Sequence, residues 1–424
     1  MMRNNSRFYY LGLILISAII FSCGSESIEE EIDNGTPDTG QNPDPDPDPE
    51  PEESSVIIVE TPSELSLAIS NAKAGDSIIV KAVTFTLNGR IRITTSGLSS
   101  EKIVLIGEES ENRPKFDFSG MSENSSNQGV ILAGNNWHVK GIDFVGAGDN
   151  GMKIEGSNNL IEFCTFSECA DTGLQIDSGA SNNTILNCDS YFNADSRIEN
   201  ADGFACKLTA GTGNKFIGCR AWNNLDDGWD GYLRGADNIT TTYENCWAIR
   251  NGYLQNGVAG GGDGNGFKTG GSDDKALKHN AVYTNCIAVG NLFDGFDHNS
   301  NRGEVTILNC SAYDNGTNYN FSSTNPLSKL TIKNSLVLGE KGRTEATETD
   351  ISYNSWQLGV EVSEADFKSL GIEELLGPRK ADGSLPDVNF MHLVAESDLI
   401  DKGVEVGLTY EGEAPDLGAF EFKN

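Results

Sequence analysis

The chain has 424 residues, of which 48 are glycine and 37% are hydrophobic, and its formal net charge is −33. A surface of that charge repels nucleic acid and anionic lipid headgroups, so we expect no nucleic-acid partner, and an anionic substrate would need a bound cation as mediator. None of the nine cysteines stands in a CxxC spacing, which argues against a zinc site.

Residues 1–22 are predicted to be a lipoprotein signal peptide. Arg3 and Arg7 precede an apolar run that ends at Phe21 and is too short to span a bilayer. Ser22 before Cys23 resembles a bacterial lipobox, in which the cysteine is cleaved and lipidated. We therefore expect a bacterial outer-membrane lipoprotein, surface-exposed or periplasmic, attached through a lipid on Cys23. Ordinary cleavage near Ser22 is the alternative.

Residues 23–55 are predicted to be an acidic, Pro/Asp-rich tether. Alternating prolines remove backbone donors, and the like charges repel one another, so the segment should be extended and have no core. A short helix should follow it, because Thr61-Pro-Ser-Glu64 is a capping box with proline at the first helical position. Leu65, Ala68 and Ile69 then recur at helical spacing. Placed before many strands, this helix could cover the open end of a solenoid.

The rest of the chain repeats. Five cysteines are each followed five residues later by asparagine, and a strand-like run precedes each cysteine. The pairs are Cys188 and Asn193, Cys219 and Asn224, Cys246 and Asn251, Cys286 and Asn291, and Cys310 and Asn315. This is typical of an all-β, right-handed parallel β-helix, in which like residues stack on like about 4.8 Å apart. We expect the cysteines to stack as free thiols, and the stacked asparagines to adopt the left-handed turn conformation and to bond one another.

The second strand of most repeats begins with a polar residue, glycine and an aromatic residue. If the aromatic side chain points inward, the next residue points outward, which predicts one outer row. That row is Lys153, Gln175, Ala205, Asp230, Lys268 and Asp297. On neighbouring coils it gathers four acids beside one lysine: Asp202, Asp226, Asp227, Asp230 and Lys268. Clustered carboxylates repel one another unless a hard cation lies among them, and oxygen ligands favour Ca²⁺. A lysine beside such a cation loses its proton more easily and could act as a base.

These motifs, Asn-Ala-Asp202-Gly-Phe, Asp226-Asp-Gly-Trp-Asp230 and Asn265-Gly-Phe-Lys268, resemble those of polysaccharide lyase family 9. The resemblance covers residues 56–424, with an irregular C-terminal cap over about 340–424. It implies that Asp202, Asp226, Asp227 and Asp230 bind a catalytic Ca²⁺ and that Lys268 is the base. The reaction it implies is β-elimination of a uronate-containing pectin backbone such as pectate, an acidic polysaccharide.

Several points stay open from sequence. Lys207, Arg234 and Arg302 flank the same coils and could pair with further carboxylates of the polymer. The same lyase chemistry could act on rhamnogalacturonan I. A β-helical polygalacturonase-type hydrolase also uses clustered aspartates, although it would leave Lys268 without a role. A non-catalytic surface protein that binds glycans is the alternative outside enzymes. We expect a monomer.

Overall fold

In a computed structural model of the protein, residues 54–110 and 112–423 are described, and they form three parallel β-sheets. The predicted signal peptide, Cys23 and all but the last two residues of the predicted tether lie outside the described residues. Within the described part, no helix combines the length and the apolarity that crossing a bilayer would need.

The sheets contain 12, 10 and 10 strands, numbered here in the order in which the chain visits them. The first sheet consists of Val56–Val59, Ser77–Val80, Ile103–Gly107, Trp137–Lys140, Leu160–Glu162, Thr184–Leu186, Asn214–Ile217, Ile239–Glu244, His279–Thr284, Glu304–Leu308, Lys329–Lys333 and Glu348–Ser352. The second consists of Thr84–Thr86, Lys115–Asp117, Asp143–Val145, Thr165–Ser167, Asp189–Tyr191, Arg220–Trp222, Trp247–Ile249, Ile287–Val289, Ser311–Tyr313 and Leu336–Leu338. The third consists of Ile91–Ile93, Val130–Leu132, Met152–Ile154, Leu174–Ile176, Phe204–Cys206, Trp229–Asp230, Phe267–Lys268, Asp294–Asp297, Thr317–Phe321 and Gly342–Thr344.

Each of ten complete coils contributes one strand to each sheet, and Val56–Val59 and Glu348–Ser352 extend the first sheet at its two ends. Neighbouring strands of a sheet come from successive coils and run parallel. The chain is therefore a parallel β-helix, as the repeat predicted. The strands are short because a turn follows every few residues, and each turn rotates the chain to the next face of the coil.

The interior is built from stacked identical or similar side chains. Aromatic rings of successive third-sheet strands have centroids 4.8–5.3 Å apart: Phe204, Trp229, Phe267, Phe296 and Tyr319. The asparagine side chains of the predicted row bond from one coil to the next at 2.8–3.0 Å: Asn193, Asn224, Asn251, Asn291 and Asn315. All eight cysteines of the described part are buried and free, which confirms the expected thiols.

The left-handed turn conformation falls one residue earlier than the sequence suggested. The residues with positive φ are those just before the row of asparagines, including Asn223 and Arg250 with φ of 52° and 50°. The stacked asparagines are absent from the positive-φ residues. Their role is hydrogen bonding alone: the Nδ2 group of Asn251, for example, also donates to Ala221 O at 3.1 Å. A buried amide row can thus satisfy backbone carbonyls in the turns.

The predicted helix is Pro62–Asn71, and its capping box is present, with Thr61 and Glu64 exchanging side-chain and backbone hydrogen bonds. Its apolar face, which includes Leu65 and Ile69, is buried against the strands of the first coil. The helix therefore covers the N-terminal end of the core.

The C-terminal segment departs from the expected end cap. Only its first part reaches the end of the solenoid, where the rings of Trp356 and Tyr319 have centroids 5.7 Å apart. The rest, including the 3₁₀ helices Glu364–Asp366 and Ile372–Leu376, packs beside the second sheet. The buried cluster between them comprises Trp247, Ile249, Ile287, Val289 and Leu336 from the sheet and Phe367, Leu375, Phe390, Met391, Leu393, Leu399 and Leu417 from the segment. The outer face of these strands is apolar and needs this cover.

Candidate active site

The acidic cluster lies where the chain turns into the third sheet. Asp202 and Asp227 occupy equivalent turn positions, two residues before the strands Phe204–Cys206 and Trp229–Asp230. The glycine after each acid is required by packing: a Cβ on Gly203 would lie 2.7 Å from Asn224 Nδ2, and one on Gly228 would lie 2.8 Å from Asn251 Nδ2. The stacked amides therefore explain the acid-glycine pattern of the motif.

The predicted outer row is present in the strand register. Asp230 is paired with Lys268 on the next coil, and Lys268 with Asp297 on the one after. In the other direction Asp230 is paired with Ala205, and that row continues to Lys153. The acids and the lysine therefore share one outer wall.

Three of the four predicted metal ligands come together. Asp202, Asp226 and Asp227 each offer one carboxylate oxygen, and these atoms lie within 4.8 Å of one another. Backbone amides orient the acids: Asp263 N donates to Asp226 Oδ1 at 2.6 Å, and Asn265 N donates to Asp227 Oδ1 at 2.8 Å.

Asp230 lies outside this triad, between two lysines. Its Oδ1 atom is 3.9 Å from Lys268 Nζ, and its Oδ2 atom is 3.5 Å from Lys207 Nζ. The amide of Tyr232 donates to Oδ1 at 2.9 Å.

Lys268 is buried and faces three acids. Its Nζ atom lies 3.0 Å from Asp227 Oδ2, 3.0 Å from Asp263 Oδ2 and 3.9 Å from Asp230 Oδ1. Although Lys268 is this close, Asp227 Oδ2 is buried and accepts no hydrogen bond of good geometry within the described residues. Among the residues that the structure describes, the charge of this buried oxygen is balanced by the ammonium group of Lys268 alone.

The pKa values of the clustered acids and of Lys268 are also shifted in ways that favour a bound cation. Burial raises the pKa of Asp227 well above its usual range, and the neighbouring Asp226 raises it further. Burial, followed by Asp202, raises the pKa of Asp226 to about 7. Burial alone would lower the pKa of Lys268, but Asp227 and Asp230 outweigh it and hold that pKa well above the usual value. A bound cation would stabilise the ionised form of these buried carboxylates. Because they offer only hard oxygen ligands, they suit Ca²⁺.

The three further cations that the sequence singled out lie in different surroundings. Lys207 is half-buried, with Nζ 2.6 Å from Asp202 Oδ2, so its charge is balanced inside the acid cluster. Arg234 is exposed and lies 3.2 Å from Asp273 Oδ2. Arg302 is half-buried and lines a separate pocket at the corner that follows the third sheet. Only Lys207 is therefore brought into the acid cluster.

Two residues of the site were not anticipated. Asp263, in the 253–264 insertion, is exposed and pairs with Lys268. Thr172 donates through its hydroxyl to Asp202 Oδ2 at 2.9 Å. Thr172-Gly-Leu is a weaker copy of the polar residue-glycine-aromatic motif, so the sequence could place Thr172 beside the site. The sequence could not show its hydrogen bond to Asp202. The loop at 195–200 and the insertion at 253–264 also meet, since Gly261 N donates to Ile198 O at 2.8 Å.

Comparisons with known proteins agree with this fold and site. Residues 51–335 match the family model described as the Pel9A-like, right-handed β-helix region, and residues 345–423 match one described as rhamnogalacturonan lyase-like, C-terminal. Pectate lyase L of Dickeya dadantii is 36% identical over 373 residues, which are 85% of this chain and 86% of that protein. Pectate lyase PEL9 of Emericella nidulans is 32% identical over 379 residues, covering 82% of this chain and 90% of that protein.

Solved structures give the same result. The crystal structure of pectate lyase Pel9A superposes with a TM-score of 0.77 at 33% identity, covering 88% of this chain and 97% of that one. A rhamnogalacturonan lyase superposes with a TM-score of 0.71 at 27% identity, covering 81% and 97%. The fold and its relatives define a polysaccharide lyase built on a right-handed parallel β-helix. More particularly, the chain belongs to the Pel9A-like family, which confirms the resemblance to polysaccharide lyase family 9. Membership weighs against the hydrolase and the non-catalytic binding protein.

Proposed function

We propose that this protein is a Ca²⁺-dependent lyase that cleaves the uronate-containing backbone of pectin, with pectate as its substrate. The observation that carries the proposal is the position of Lys268 Nζ, 3.0 Å from Asp227 Oδ2, beside a triad of carboxylates on the outer wall. The names of the relatives, pectate lyases from bacteria and a fungus, support the choice of substrate.

The residues have distinct roles in this proposal. Asp202, Asp226 and Asp227 hold the cation, and Asp230 orients Lys268 and completes the negative charge around it. Ca²⁺ in this position would offset the acids around Lys268 and withdraw charge from a bound uronate carboxylate. Neutral Lys268 takes the proton from C5, the C–H electron pair forms the C4–C5 double bond, and the C4–O4 bond breaks. The leaving oxygen takes the electron pair of the C4–O4 bond and is protonated by solvent.

Metal dependence tests the proposal. Polygalacturonate is digested by the full chain while the near-ultraviolet absorbance of the new double bond is followed. We expect absorbance to rise with Ca²⁺, to stop on chelation and to resume when Ca²⁺ is restored. Undiminished turnover after chelation would exclude the metal, and release of saturated sugars would indicate hydrolysis instead.

Rhamnogalacturonan I is a second candidate substrate, and one feature of the cleft favours it. The groove continues along the third sheet past Lys268, where Asp294, Asp297, Arg343 and the half-exposed ring of Phe293 line it. Asp294 and Asp297 outnumber Arg343 here and would disfavour an adjoining galacturonate, whereas a neutral sugar could pack on the ring. Side-by-side digestion of the two polymers with Ca²⁺ decides between them.

We also propose that the enzyme is a bacterial outer-membrane lipoprotein held by a lipid on Cys23 and that it acts as a monomer. The lipobox-like Ser22-Cys23 and the acidic tether support the anchor. The expected result is labelling of the intact protein with a radioactive fatty acid and loss of the label in Cys23→Ser. Equal labelling of the two proteins would contradict the anchor.

A further inference from the structure

A basic pocket lies at the opposite ends of the third-sheet strands from the acid cluster. The acids precede the strands, whereas Lys275, Lys278 and Arg302 follow them, at the corner where the chain turns back into the first sheet. The pocket spans four successive coils and has a volume of about 450 Å³. Its remaining lining residues are Ala276, Pro326, Ser328 and Thr347.

The three cations of this pocket have no counter-ion. Among the residues that the structure describes, none of them forms an ion pair or a side-chain hydrogen bond, and the pocket lining includes no carboxylate. Two nearby acids bond the backbone of this corner instead: Asp237 accepts from the amide of Lys278 at 2.8 Å, and Asp274 accepts from the amide of Ala276 at 3.1 Å. Three neighbouring cations without an ion pair among the described residues stand out in a chain with a net charge of −33.

Charge of this kind favours an anionic ligand. Lysine and arginine side chains attract carboxylates in an ionic-strength-dependent way, and the hydroxyls of Ser328 and Thr347 can bond sugar hydroxyls. The pocket is separated from Lys268 by the 269–274 turn, so it does not belong to the acid cluster. A polymer that crosses the corner of the solenoid could contact both places at once, which raises its affinity by effective concentration.

We propose that the pocket of Lys275, Lys278 and Arg302 is a second binding site for acidic polysaccharide, which retains the polymer while the cleft cleaves it. The proposal rests on the proposed function, because it takes the substrate to be a polyuronate. Its ligand is a carboxylated sugar segment, held by charge and hydroxyl contacts and without a metal ion.

The test uses the full chain in the Lys268→Ala background with chelator present, so that neither cleavage nor metal contributes. Binding of long polygalacturonate is measured with and without Lys275→Gln/Lys278→Gln. We expect the double variant to bind about fivefold more weakly at low salt, and the difference to vanish at about 0.5 M NaCl. A matched control is Lys115→Gln/Lys215→Gln, which removes the same charge from two exposed lysines elsewhere and should change affinity less than about twofold.

A second readout separates this pocket from the cleft. With Lys268 restored and Ca²⁺ present, Lys275→Gln/Lys278→Gln should raise KM for the polymer about fivefold, leave kcat unchanged and cleave a short oligogalacturonate as the wild type does. Unchanged polymer affinity, an equal loss in the control, or equal binding of neutral galactan would overturn the proposal. If the proposed function itself fails, even the wild type cleaves no oligogalacturonate, while the binding comparison still reports on the pocket.

Discussion

Asp189 joins the C-terminal segment to the solenoid, and replacing it should destabilise the folded protein strongly. It is buried on the second sheet and accepts two hydrogen bonds from Arg220, at 2.9 and 2.8 Å. Arg379 of the C-terminal segment binds the same carboxylate, with Nη2 2.7 Å from Oδ1. Asp189→Asn would leave two buried guanidinium groups without a counter-ion, which costs about 3–5 kcal/mol of unfolding free energy.

Arg379→Ala should cost less, about 1.5–3 kcal/mol, because Asp189 keeps the bidentate contact with Arg220. The exposed acid Asp350, 2.9 Å from Lys333, provides a control whose Asn variant should cost under about 1 kcal/mol. Urea unfolding followed by tryptophan fluorescence measures these differences. Limited trypsin digestion should show the C-terminal segment cut faster in the Asp189 and Arg379 variants.

The same site sets a pH window. Burial raises the pKa of Asp189, but Arg379 and Arg220 outweigh it and hold that pKa below its usual value. Because the folded-state pKa is the lower one, the stabilisation is present above the unfolded pKa of about 4 and is lost as pH falls through the folded value. The difference in the free energy of unfolding between wild type and Asp189→Asn should therefore become smaller at acidic pH. A loss under about 1 kcal/mol at neutral pH, or unchanged trypsin sensitivity, would refute this account of the segment.

Three further predictions concern the core and the site. Asn251→Ala should lower the free energy of unfolding by about 2–3 kcal/mol, because its amide bonds Asn224, Asn291 and Ala221 O, whereas exposed Asn256→Ala should be nearly neutral in the same urea unfolding assay. The eight buried thiols should fail to react with Ellman's reagent until the protein is denatured, and any rapid reaction of one of them in the native state would contradict the packed cysteine row. Asp263→Asn should shift the alkaline rise of kcat to lower pH with unchanged folding, because it removes one acid, 3.0 Å from Lys268 Nζ, that raises the pKa of this lysine; an unchanged pH profile of kcat would make that contact incidental.

The repeat explains why much of this molecule could be predicted. The sequence motif repeats once per coil, so equivalent residues of successive coils lie side by side. The pairing of Asp230 with Lys268 could therefore be predicted by aligning the glycine-aromatic positions. The cysteine and asparagine rows followed from the same alignment, because each coil stacks directly on the last.

What lay outside the repeat was not predictable. Arg379 and Asp189 are 190 positions apart, and no periodicity links an irregular segment to the strand it covers. Asp263 belongs to an insertion, whose path depends on contacts with another insertion. Lys207 was predicted to pair with carboxylates of the polymer, but its Nζ atom lies 2.6 Å from Asp202 Oδ2, a contact that spacing in the sequence does not reveal.

The central claim is that one outer wall joins a metal-binding triad to an amine base, and Lys268→Ala tests it most directly. The measurement is the initial rate of unsaturated product from polygalacturonate at saturating Ca²⁺, with folding and Ca²⁺ binding verified by calorimetry. The account predicts a fall of about 10²–10⁴-fold, while Lys153→Ala, on the same outer row, keeps most of its activity. A folded, Ca²⁺-binding Lys268→Ala protein with the wild-type rate would contradict it.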